Sequence, residues 1–103
     1  MSKRLFKKSI TKVKIRKIQN NNGFQYNMLK AIEELSELSA ALTQMLTKNN
    51  EDTVKNVIEE FGDVEFRLSV LRSHFDEKLI DKRFQKKLNK SIRYLKTQKY
   101  DKV

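Results

Sequence analysis

Apolar residues recur at intervals of three and four along most of the chain. Met28, Ile32, Leu35, Leu38, Leu42 and Met45/Leu46 predict a helix from Phe24 to about Lys48. Val54, Ile58, Phe61, Val64, Leu68 and Leu71 predict a second from about Thr53 to His74. Ile80, Phe84, Leu88, Ile92 and Leu95 predict a third from about Asp76 to Lys96 or beyond, its other faces lined by Lys and Arg. Asn20 to Gly23 reads as the turn before the first helix, and Lys48 to Asp52 as the break before the second, with Asp52 placed as its N-cap. The first 18 residues carry two patterns at once. Val13 and Ile15 alternate with Lys12, Lys14 and Arg16 as in a strand, while Phe6, Ile10 and Val13 fit a helical turn. Residues 1–22 are therefore taken as a basic arm ahead of an all-α domain over 23–103.

Composition supports helices. Without Pro and with two Gly in 103 residues, the chain lacks the breakers of a turn-rich β fold. A single core of this size is thin. The expected architecture is a bundle of three to four helices, completed across an oligomer interface. The absence of Cys and the single His exclude thiolate metal sites, thiol nucleophiles and His-based triads. No run approaches the ~20 apolar residues of a membrane span, and the first residues show no apolar stretch of signal-peptide length. No membrane partner is expected, and the cytoplasm is the expected compartment.

The net charge of +10 invites a nucleic-acid reading, but the charge is unevenly spread. Residues 1–30 carry nine basic and no acidic side chains, residues 31–77 four against eleven, and residues 78–103 ten against two. An acidic centre lies between two basic ends.

Within that centre, residues 28–38 overlay residues 54–64 at a constant offset of 26. Glu34 with Glu37, and Glu60 with Asp63, each stand three apart on one side of a helix at the flank of its apolar stripe. If the stripes pack together, the four carboxylates converge, repel and call for a cation. Hard oxygen ligands in that number suit Mg²⁺ or Mn²⁺. A lone ExxE is ordinary surface decoration. Here Glu33, Glu34 and Glu37 have no basic residue three or four positions further on, and Phe66 with Val70 gives the second helix another apolar side near Asp63. Gly62, with Ser36 as its small counterpart, fits a close backbone approach beside the acids.

These residues resemble the MazG-like all-α nucleoside triphosphate pyrophosphatase superfamily, which includes the dimeric dUTPases. Its signature of EExxE, a spacer and ExxD reads here as EELSE from Glu33 to Glu37, 22 intervening residues, and EFGD from Glu60 to Asp63. A looser likeness around Lys87 to Lys90 extends the match to about residue 95, and the first 22 residues fall outside it. The resemblance implies an all-α fold pairing into a homodimer or homotetramer, and Mg²⁺-dependent hydrolysis of a nucleoside triphosphate to the monophosphate and pyrophosphate. It implies Glu34, Glu37, Glu60 and Asp63 as metal ligands, with Glu33 supporting the site or orienting a water.

Phosphates that a metal does not reach need cationic side chains. Lys87, at the edge of the third stripe, and Lys90 are the first choices, ahead of Arg83 and Arg93. His74 reads as a favourable charge at a helix C-terminus, Met28 and Met45 as core, and Phe24 with Tyr26 as closing the core at the helix entrance. Two other functions compete. One is a basic nucleic-acid-binding protein using Lys3 to Lys17 and the third helix, which the paired acids disfavour by repelling a phosphate backbone. The other is a helical interaction module without chemistry.

Overall fold

The computed structural model describes residues 3–97, with side chains from Ile10 onward. The chain forms four helices, α1 (Lys3–Asn22), α2 (Phe24–Thr47), α3 (Glu51–Arg72) and α4 (Glu77–Thr97), and no strand among the described residues. The fold is all-α. The three predicted helices are present with ends displaced by one or two residues.

The basic arm is helical from Lys3. Asn20 to Asn22 are its last turn rather than a loop, and the break falls on Gly23 alone, whose φ of 81° is open to glycine and strained for other residues. At the start of α3 the cap is Asn50, not Asp52. Its side chain accepts from the Thr53 N–H at 2.9 Å, and the Thr53 hydroxyl accepts from the Asn50 N–H at 3.0 Å. Asp52 sits inside the first turn, where its charge favours the helix dipole.

Helices α2 and α3 form an antiparallel hairpin, and α1 packs across its open end. There the Gln19 amide donates to the Ser73 carbonyl at 3.2 Å, and the Phe24 ring meets His74 and Phe75 edge-on at 4.8 and 5.4 Å. The side-chain amide of buried Asn27 and His74 Nε2 share a hydrogen bond at 2.9 Å. His74 thus fastens the start of α2 to the end of α3 through a hydrogen bond.

The hairpin seam differs from the predicted stripes. It runs through Asn27, Ala31, Glu34, Leu38, Ala41 and Met45 on α2, against Val57, Glu60, Val64, Arg67 and Val70 on α3, all buried or half-buried. Ile32, Leu35, Leu42, Ile58, Phe61 and Leu68 remain exposed, Ile32 and Ile58 at 60 and 66%. Small Ala31 and Ala41 allow the helix axes to approach closely, and that pairing turns the larger side chains outward. Helix α4 leaves α3 through a tight elbow. Asp76 accepts from the Lys78 N–H at 3.1 Å, and Arg72 pairs with Glu77 at 3.2 Å and Asp81 at 2.6 Å. Beyond the elbow α4 buries no residue.

Candidate metal centre

Moving the seam by one position changes where the acids stand. Glu34 and Glu60 lie within the hairpin seam, at mid-length on each helix, instead of beside it. The helical repeat then puts Glu33 and Glu37 of α2 and Glu59 and Asp63 of α3 on one side of the hairpin, and the exposed Ile32/Leu35/Ile58/Phe61 group on the other.

One carboxylate oxygen from each of Glu34, Glu37 and Glu60 comes within 4.8 Å of the others. Asp63, the fourth predicted ligand, is outside that group yet close enough for its charge to act on Glu34. Partial burial first, then the Glu37 charge and hydrogen bond, then Asp63 and Glu33, raise the Glu34 carboxyl above its ordinary value of 4.5. Glu34 Oε2 and Glu60 Oε2 are both shut away from solvent and have no hydrogen-bond partner. Two inward carboxylate oxygens without donors are costly, and a divalent cation between them would satisfy both. The donor set of exclusively hard oxygens fits Mg²⁺ or Mn²⁺.

Three expected residues stand apart from this group. Glu33 forms an ion pair with Lys30 at 3.2 Å on the exposed surface. Its partner lies three residues before it, on the side that a search of following positions misses. Lys87 and Lys90 line a shallow surface of α4 with Ser91, Tyr94 and Leu95, and α4 is not among the helices packed on the hairpin. Gly62 is not a close-approach glycine within one chain, since a Cβ there would meet nothing within 4 Å. Ser36 donates to its own helix at the Ile32 carbonyl, 2.9 Å away.

Asn27 and Arg67 escaped the sequence reading. Asn27 occupies a core position at 1% exposure, and nothing in the apolar periodicity distinguishes a buried amide from a surface one. Arg67 lines the seam while its guanidinium lies over the Phe66 ring at 5.1 Å. No helix among the described residues is long and apolar enough to cross a membrane. No protein family, curated protein or solved structure matches the chain.

Proposed function

We propose that this protein is a Mg²⁺-dependent nucleotide pyrophosphohydrolase, cleaving a nucleoside or deoxynucleoside triphosphate to the monophosphate and pyrophosphate. The observation that carries the reading is the pair of solvent-excluded, partnerless oxygens of Glu34 and Glu60, grouped with Glu37 within 4.8 Å. The resemblance of EELSE and EFGD to the MazG-like signature supplies the substrate class.

In this reading Glu34, Glu37 and Glu60 hold the cation, with Asp63 completing the set from one turn beyond Glu60. When bound, Mg²⁺ neutralises phosphate charge and makes a bound water more acidic. A water then attacks phosphorus, the anhydride bond to the leaving pyrophosphate breaks, and the water's proton is lost to a neighbouring base. Glu33, which shares this side of the hairpin with Glu37, Glu59 and Asp63, is assigned to receive that proton or orient the water once substrate draws it from Lys30. The seam holds Glu34 and Glu60 by the backbones of two packed helices, so the ligands are positioned before substrate arrives. Lys87 and Lys90 are the cations assigned to the remaining phosphates, and the chain works as a homodimer or homotetramer.

The test is product analysis on a panel of NTPs and dNTPs with and without Mg²⁺. The expected result is Mg²⁺-dependent release of pyrophosphate with the matching monophosphate, reduced at least about 100-fold by Glu37→Gln or Asp63→Asn. Turnover unchanged in those variants contradicts the site, and no turnover on any nucleotide contradicts the function.

A further inference from the structure

Helix α1 stands outside the chemistry proposed for the hairpin. Eight of its 20 residues are Lys or Arg and none is acidic. Ile15, Ile18, Gln19 and Asn22 are half-buried and mark the side that packs on the hairpin. Lys12, Lys14, Arg16 and Lys17 are exposed, and none of them forms an ion pair with a described residue. By the helical repeat, Lys12 and Arg16 make one edge of the outward side and Lys14 and Lys17 the other, with exposed Val13 and Asn20 between them.

We propose that α1 binds duplex DNA, lying in the major groove with its two cationic edges against the phosphates of the two walls. Charge names the partner class, because a helix with unpaired cations and no acid is complementary to a polyanion. The two edges narrow it. A groove with phosphates on both walls takes cations from both sides, and an α-helix about 10–12 Å across fits a groove about 12 Å wide. The deep, narrow major groove of duplex RNA does not admit such a helix. An anionic membrane surface calls instead for a broad apolar side, whereas the described part of α1 exposes only Ile10 and Val13, at 38 and 62%.

The paired acids, which would repel a phosphate backbone, are kept clear of this surface. Helix α1 crosses the open end of the hairpin, and Glu34 on α2 and Asp63 on α3 stand about ten residues from that end, roughly 15 Å along the helices. That is about twice the screening length of ~8 Å at physiological ionic strength. Glu77, which lines a cleft with Lys12 and Arg16, is paired with Arg72 at 3.2 Å. DNA binding through α1 is therefore independent of the metal chemistry proposed for the hairpin.

Fluorescence anisotropy of the full chain on a labelled, mixed-sequence duplex of about 20 base pairs tests the proposal, since α1, about 30 Å long, covers roughly nine of them. The expected Kd is about 1–100 μM at physiological salt, with log affinity falling against log salt at a slope of about −3 to −4. Lys14→Gln/Lys17→Gln keeps good helix formers at both positions. It is expected to make the slope shallower by about two and to weaken binding at least about fivefold, with circular dichroism unchanged. Val13→Glu, which sets an acid between the two edges, is expected to weaken binding at least as much. Lys82→Gln/Lys86→Gln removes the same charge from α4 and is expected to weaken binding less than the α1 pair does. No binding to the duplex overturns the proposal, as does binding unchanged in Lys14→Gln/Lys17→Gln or lost chiefly in the α4 pair. Equal affinity for duplex RNA, or tighter binding to phosphatidylserine vesicles than to DNA, overturns it too.

Discussion

The α2–α3 hairpin and α4 share a vocabulary of helical repeats with one apolar side, but their circumstances are opposite. The hairpin buries Ala31, Ala41, Val64 and Val70 and places two carboxylates in its seam, whereas α4 buries nothing and carries its charge as cations. Amphipathic spacing therefore specifies that a helix forms, and the size of the residues at the contact specifies which side packs. The acids of the hairpin are held by packing. At its start α4 is tied to α3 through Arg72 with Glu77 and Asp81, and its cations further along depend on what α4 meets.

The contrast is broken most severely at Val70, which is fully buried. Val70→Asp puts an unpaired carboxylate into the α3 core and is expected to cost more than about 4 kcal/mol, enough to abolish cooperative urea unfolding. Ile92→Asp, the same chemistry on α4, is expected to leave the monomer's helicity unchanged. Equal losses at the two sites would show that α4 packs as tightly as the hairpin.

Asn50→Ala removes the cap that starts α3 and is expected to cost about 1–2 kcal/mol, read by the urea midpoint. Asp52→Ala removes only a favourable first-turn charge and should cost roughly 0.3–1 kcal/mol. The reverse order would return the cap to Asp52. Gly62→Ala meets no atom within 4 Å in one chain, so it is expected to stabilise α3 by about 0.5–1 kcal/mol.

The smallest effect concerns pH. Without divalent cations, folding raises the Glu34 carboxyl above 4.5, so between 4.5 and that raised value the folded state binds more protons than the unfolded one. Stability contributed at Glu34 is then greatest at low pH and falls as pH rises through this window. Glu34→Gln is expected to remove the fall and to be more stable than wild type at pH 7 in chelator, measured by thermal melts across pH.

Much of this architecture is legible in the sequence because three-and-four spacing and the near absence of breakers leave few alternatives. The acid pairs were legible for the same reason, since residues three apart share a helix side wherever the helix packs. Three features were not. The arm carries two periodicities in too few apolar residues to choose between them, and contact with α3 through Gln19 settles its end. The seam runs through alanines that a search for large apolar residues ranks below Ile32 and Leu35. Asn50 and Asp52 are both competent caps, and the reciprocal bond from Thr53, three residues after Asn50, decides between them.

The proposed activity requires that the carboxylates meeting at the hairpin seam, Glu34, Glu37 and Glu60, hold a divalent cation. Titrating Mn²⁺ into the wild-type chain and into Glu34→Gln/Glu60→Gln, and following free Mn²⁺ by electron paramagnetic resonance, tests it most directly. Saturable binding by wild type, displaced by Mg²⁺ and lost in the double variant, is the predicted result. Equal Mn²⁺ uptake by both chains, or none by either, would contradict it.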